Sequence, residues 1–224
     1  MSTRIELTHA SVLFSGRDEG DLGQTAEAAS EEVLAHREAI VALCRVDGVG
    51  VGRQVHGHAV TIVERAEGYV VGAVSADGQI TTARGVAVGV HVADCLPIAV
   101  AGEGGVAMLH GGWRGLAGGV IGEGVAALRS LGVAGPLEAA IGPGAGGCCY
   151  ETGPEVHAAF ADYGASDGRL LDLPAIATAQ LRAAGVGTIH DVDLCTLCAP
   201  DGLLFSHRRD GPGTGRQGGF AWLR

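Results

Sequence analysis

With 224 residues, 47% of them apolar, the chain has enough material for one sizeable core, and no Ser/Pro-rich linker divides it. A formal net charge of −10 argues against a nucleic-acid or anionic-membrane surface, and no apolar run is long enough to span a bilayer. There is no basic and apolar leader and only six cysteines, so a cytoplasmic setting with reduced thiols is expected.

In chain order, residues 10–14 form a short apolar run, followed by a polar loop over 15–23. Arg17 in that loop reads either as a solvated arginine or as one that faces a ligand. Residues 24–44 read as a helix capped by Thr25 or Ser30, with Val33, Leu34, Ile40, Val41 and Leu43 on one face. Cys44 at its end is a small buried hydrophobe. A glycine-rich turn then leads to Arg53-Gln-Val-His56-Gly-His58. Strands follow over 59–63 and 69–74, and Ser75-Ala-Asp77-Gly78 is a turn whose aspartate satisfies loop amides.

Residues 86–115 are the organising stretch. The runs 86–92, 96–101 and 106–110 read as buried strands, with Asp94, Cys95 and His110 at their ends. Reactive groups at strand ends, held by a hydrophobic sheet, are where active sites are commonly built. Trp113 and Arg114 add a flat apolar wall and a cation beside it. Residues 116–131 read as one helix with a stripe of Leu116, Val120, Ile121, Val125, Leu128 and Leu131.

A strand over 137–141 runs into the glycine-rich loop 142–150. The loop lacks the Lys-Ser/Thr of a P-loop, and reads either as a structural turn or as a source of backbone amides for an anion. Residues 155–163 and 174–184 read as helices, with Asp172 capping the second and Gly185 ending it; 187–192 is a strand. Cys195-Thr-Leu-Cys198 has no second pair at zinc-finger spacing, so its cysteines read as structural. Arg208, Arg209 and Arg216 cluster in the tail of an acidic chain. They suit a phosphate or carboxylate, or else pair with the acidic surface. Strands interleaved with helices give a mixed α/β (α+β) class in a single domain over 1–224, but strand order does not follow from periodicity.

Seven motifs occur in order along nearly the whole chain. They are Gln54-Val-His-Gly57, Ala93-Asp-Cys-Leu-Pro97, His110-Gly-Gly-Trp-Arg-Gly115, Ile141-Gly-Pro143 with Cys148-Cys-Tyr-Glu151, Leu194-Cys-Thr196, Phe205-Ser-His-Arg-Arg-Asp210 and Thr214-Gly-Arg-Gln217. Together they resemble the YfiH-like proteins, also called laccase-domain or polyphenol-oxidase-like proteins. The resemblance implies two packed β-sheets flanked by helices and a metal site at His56, Cys95 and His110. It also implies zinc-dependent purine nucleoside chemistry: phosphorolysis of adenosine, inosine and methylthioadenosine, and adenosine deamination. Some bacterial members are linked instead to editing of peptidoglycan precursors. Gly111 stands where the family usually has Ala, and the segment between Gly23 and His36 is short against the family pattern.

The donor types suit that reading. Two imidazoles and a thiolate leave a fourth zinc position open, and zinc turns bound water into a hydroxide near neutrality. Deamination also needs a proton shuttle; Asp94 adjoins Cys95, although neighbours on a strand face opposite ways. Phosphorolysis needs bound phosphate, for which Arg17, Arg114, Arg208, Arg209 and Arg216 are the candidates. The expected partners are therefore a small-molecule nucleoside and phosphate. Nine histidines with one His-x-His pair, His56 and His58, argue against a multicopper oxidase, which would draw on about ten imidazole ligands. Zinc is accordingly preferred and copper comes second. Two other readings use the same side chains and stay open: a metal-independent cysteine hydrolase with Cys95 as nucleophile and His110 as base, and a non-catalytic metal-dependent partner protein.

Overall fold

The structure is a computed structural model that describes residues 2–23, 29–163, 168–200 and 202–224. The chain opens with the strands β1 (Thr3–Glu6) and β2 (Ala10–Phe14), the helix α1 (Glu31–Cys44), and the strands β3 (Gly48–Arg53), β4 (Val60–Ile62), β5 (Gly68–Ser75) and β6 (Gly78–Thr81). The hydrophobic centre follows as β7 (Val86–Val92), β8 (Leu96–Glu103) and β9 (Gly105–Gly111), then α2 (Trp113–Gly118) and α3 (Val120–Ser130). The remainder holds β10 (Ala134–Ile141), α4 (Pro154–Ala159), α5 (Leu173–Ala183), β11 (Val186–Asp191), α6 (His207–Asp210) and β12 (Gln217–Leu223).

These strands make two six-stranded mixed sheets, ordered β1-β2-β12-β7-β3-β5 and β11-β10-β8-β9-β6-β4. In the first sheet β12 runs antiparallel to both neighbours, and β3 is parallel to β7 and β5. In the second, β8 and β9 form an antiparallel hairpin, while β10–β11 and β4–β6 are parallel pairs. Side chains on β8 and β9 sort by the two-residue period of a strand. Ala99, Ala101, Val106 and Met108 meet Val12, Phe14, Val88 and Val90 of the first sheet. Ile98, Val100, Ala107 and Leu109 face the other way, against α3 and α5. On the far side of the first sheet, Ile40 and Cys44 of α1 pack on Val49, Val51, Phe220 and Trp222. The order is thus helix, sheet, sheet, helix, with each strand of the centre buried on both faces. Each fully buried Val, Leu, Ile, Phe or Met side chain contributes roughly 1.5–3 kcal/mol. No helix among the described residues is long and apolar enough to cross a membrane.

Several elements differ from the sequence expectations. The glycine-rich stretch before Arg53, expected as a turn, forms β3 together with Arg53. Its glycines lie under a covering segment, so that a Cβ at Gly50 would come within 2.7 Å of Val63. The strands β1, β6 and β12 were not expected. The buried face of α1 is Val33, Arg37, Ile40 and Cys44, whereas Leu34 and Leu43 are exposed. Arg37 is tolerated inside because its Nε donates to the Leu22 carbonyl at 2.8 Å and its guanidinium lies over the Tyr69 ring. Ser30 caps this helix by accepting the Val33 amide; Thr25 lies outside the described residues. Asp172 caps α5 as expected, and burial pushes the Cys44 thiol up to about 12. The helix expected over 155–163 is α4 followed by a separate 3-10 turn.

The single helix expected over 116–131 is two helices broken at Gly119, which has φ 90°. An L-residue there takes on left-handed strain of about 1–2 kcal/mol, since nothing lies within 4 Å to add a clash. Gly122, on the exposed face of α3, also has open space around it. We therefore expect Gly119→Ala to lower unfolding free energy by about 1–2 kcal/mol and Gly122→Ala to raise it by about 0.4–1 kcal/mol, both read from urea denaturation. Equal effects at the two positions would contradict the break.

Candidate active site

The ends of β3, β7 and β9 and the start of β8 meet at one end of the sandwich. Gln54, just past β3, clamps the loop to β7: its Oε1 accepts the His91 amide and its Nε2 donates to the His91 carbonyl, both at 2.8 Å. Asp77, just before β6, is fully buried and accepts the amides of Val55, His56 and Gly57 at 3.1, 2.9 and 2.8 Å. The same carboxylate binds His110 Nδ1 at 2.7 Å, and the Asp77 carbonyl accepts the His110 amide at 2.7 Å. Burial works against the Asp77 anion, but these hydrogen bonds outweigh it and hold the carboxyl below its usual range. His56 and Asp94 are held at φ 60° and 91°, an unusual backbone for residues other than glycine and one that concentrates at functional sites.

His56, Cys95 and His110 come together as expected from the motifs, 39 and 15 positions apart in the chain. One donor atom from each lies within 4.8 Å of the others, and the two imidazole rings meet edge to face with centroids 4.9 Å apart. Burial disfavours a Cys95 thiolate, yet His110 and His56 beside it bring the thiol down to about 6. Burial likewise disfavours an imidazolium at His110, and the Cys95 sulfur and Asp77 raise it to about 9. Asp77 occupies Nδ1 of His110, which leaves Nε2 to share an ion. A carboxylate behind a histidine in this way fixes ring orientation at metal centres. The donor set therefore fits one zinc ion with an open position. His58 packs beside Gly118 of α2 instead.

The trio opens into a cleft of about 430 Å³ that also exposes Trp113, Arg114, Tyr150, Arg208 and Arg216. Arg114 stacks on Trp113 at 4.3 Å and Arg208 on Tyr150 at 5.0 Å, while Arg208 also donates to the Glu151 carbonyl. Arg216 Nη1 is fixed by the carbonyls of Thr214 and Gly215. The other two candidate arginines are placed elsewhere. Arg17 pairs with Asp210, donates to the Leu204 carbonyl and lies over Phe205. Arg209 binds Asp210 and the carbonyls of Thr196 and Leu204. Both hold the tail together, because Asp210 sits between them.

Asp94 lines the cleft, but it is not a free shuttle. Its Oδ1 accepts the Thr196 hydroxyl and its Oδ2 the Arg208 amide, both at 2.7 Å, so it anchors the start of α6. Motif reading missed two groups. Asp77 was assigned only to loop amides. His91 also reaches the cleft wall; burial first, then Arg37 and Arg216, push its imidazole down to about 3, and it meets the Tyr69 hydroxyl at 2.6 Å. A histidine inside an otherwise apolar strand was the available signal.

A family model described as multi-copper polyphenol oxidoreductase laccase matches residues 9–224. The chain belongs to this laccase family. A Xylella fastidiosa relative named purine nucleoside phosphorylase is 39% identical over 189 residues, covering 76% of this chain and 70% of that one. A Shigella flexneri relative named purine nucleoside phosphorylase YfiH is 35% identical over 183 residues, covering 76% and 72%. The crystal structure of Neisseria meningitidis protein NMB0706, of family DUF152, superposes with a TM-score of 0.82 at 28% identity over 99% of this chain and 98% of that one. The two-sheet architecture is thus shared with that structure.

Within that family pattern, the space an alanine methyl would take at Gly111 is filled by Ile98 Cδ1, 2.7 Å from the ideal Cβ position. The glycine-rich loop is likewise a packed turn: a Cβ at Gly142 would meet the Phe14 ring and one at Gly144 would meet Leu96. For the laccase-family site we expect Asp77→Asn to weaken zinc binding about 10–100-fold, the usual cost of losing the carboxylate behind a ligating histidine. Competition with a chromophoric chelator measures it. Unchanged affinity would free His110 from dependence on Asp77.

Proposed function

We propose that the chain is a zinc-dependent purine nucleoside phosphorylase, acting on adenosine, inosine and methylthioadenosine, that also deaminates adenosine in the cytoplasm. The observation that carries this reading is the His56–Cys95–His110 trio, braced by Asp77, at the floor of a cleft with arginines on its walls. The names of the relatives give the substrate class. Six free cysteines suit a reducing compartment.

Zinc, when bound, supplies Lewis acidity and a hydroxide source near neutrality. The chain's own groups do the rest. Trp113 and Tyr150 offer flat faces to a purine, and Arg114, Arg208 and Arg216 offer charge to phosphate. Asp77 keeps His110 in one tautomer, with Nε2 toward the reacting centre. In phosphorolysis a phosphate oxygen bonds to the ribose carbon as the bond to the base nitrogen breaks. Fixed arginines favour that step by holding the nucleophile in line. The family description speaks of several coppers. Among the described residues two groups of side chains are close enough to share an ion, this trio and a set of four cysteines. Neither is the histidine-rich constellation that several coppers need.

Incubation of metal-analysed protein with adenosine tests the reading. Adenine should appear only with phosphate present, and inosine with or without it. Chelation should abolish both, zinc should restore both, and copper should restore less. Cys95→Ser should lose zinc and activity together. Activity that survives chelation but falls to an alkylating reagent would make Cys95 a nucleophile, a reading its close contact with His110 also permits. A zinc-loaded protein inert toward nucleosides would point instead to peptidoglycan-precursor editing or to a non-catalytic partner role.

The arginines separate the two reactions. Arg114→Lys keeps the charge and loses the planar fork. Phosphorolysis should fall by about tenfold or more, the worth of one charged hydrogen bond of roughly 1.5 kcal/mol, while deamination changes little. Equal loss in both assays would make Arg114 a structural or nucleoside contact.

A further inference from the structure

Cys195 and Cys198 were expected to stand without a second pair, and the structure supplies one. Cys148 and Cys149, at the end of the loop that follows β10, face them from the opposite side, and all four sulfurs lie within 4.8 Å of one another. The Cys148–Cys149, Cys148–Cys198 and Cys149–Cys195 separations are 3.5, 3.4 and 3.5 Å, and Cys149–Cys198 is 2.6 Å. Zinc–thiolate bonds of about 2.3 Å in a tetrahedron place sulfurs about 3.8 Å apart. We propose that Cys148, Cys149, Cys195 and Cys198 form a second, structural zinc site, a closed tetrathiolate separate from the active-site trio.

The backbone around the four sulfurs is built for it. Gly144 donates to the Leu194 carbonyl at 3.2 Å and its own carbonyl accepts the Thr196 amide at 3.0 Å, which locks the two loops in register. Gly146 N–H donates to Cys195 Sγ at 3.4 Å, a bond that favours the thiolate over the thiol. Four thiolates this close repel one another, and a soft divalent cation among them removes that repulsion. The space suits one ion. An iron–sulfur cluster would hold its cysteines further apart around its own sulfides. Cys148 and Cys195 also border a groove of about 590 Å³, through which an ion can enter.

The site acts on the active cleft by position. One stapled loop carries Tyr150 into the cleft wall; the other carries Thr196, whose hydroxyl holds Asp94. The staple ties the loops that leave the neighbouring parallel strands β10 and β11.

A variant lacking the active-site donors isolates the proposed ion. His56→Ala/Cys95→Ser protein should retain one zinc per chain, and cobalt exchanged into it should give the intense thiolate charge-transfer and strong visible bands of a tetrahedral sulfur site. A folded variant that binds no zinc, or cobalt with only the weak bands of oxygen and nitrogen ligands, overturns the proposal. Wild-type protein denatured without reductant should show all six thiols, and a disulfide mapped between two of these four cysteines would also overturn it. Cys195→Ser/Cys198→Ser should lose this zinc and keep the other. If that variant does not fold, Cys148→Ser alone should weaken zinc retention in the His56→Ala/Cys95→Ser background at least tenfold, and unchanged retention counts against the site. Because the count is made without the trio, failure of the nucleoside reading leaves this result intact.

Discussion

One buried carboxylate organises the active end of the molecule. Asp77 takes three successive amides from the loop after β3 and the ring of His110 at the end of β9. It therefore joins a loop leaving the first sheet to a strand of the second. A fully buried anion is costly unless every lone pair is satisfied, so the loop has little choice of path. The left-handed backbone at His56 lies inside this turn, where three consecutive N–H groups converge on one carboxylate. The interaction that shapes the loop also sets the face that His110 turns to Cys95.

What the sequence makes legible depends on how local the cause is. The runs at 86–92, 96–101 and 106–110 were readable because apolar residues fill both faces, with His91 and His110 near the strand ends as their polar exceptions. Residues 48–53 were not, since alternate glycines hide the strand period, and their reason lies in Val63 and Ala66, contacts that periodicity does not report. The face of α1 was misread because Arg37 looks like a surface residue until the Leu22 carbonyl and the Tyr69 ring are seen around it. At Gly119 a single backbone angle ends one helix and starts another, although the apolar stripe runs on past it.

The site divides in the same way. His56, Cys95 and His110 were legible as parts of ordered motifs. Their brace was not, since Asp77 lies 33 positions from His110 and resembles any turn aspartate. Arginine clustering marked the right region but could not separate cleft-facing Arg208 from Arg209, the next residue, because Asp210 decides which is tied down. The cysteines show the limit most plainly. A C-x-x-C motif and an adjacent pair nearly fifty residues upstream share no recognised spacing, and only the register of β10 beside β11 brings them to one point.

The cleft walls carry a thermodynamic consequence. Arg114 sits over Trp113 and Arg208 over Tyr150, each cation already placed above an aromatic ring. A free arginine side chain holds about 2 kcal/mol of rotamer entropy. Here much of that freedom is surrendered when the chain folds, not when a ligand arrives. Charge on this rim is aimed in advance, at spacings set by two rigid rings. Such a rim discriminates by how well an incoming molecule matches a fixed frame, and it has little capacity to contract around one that is too small.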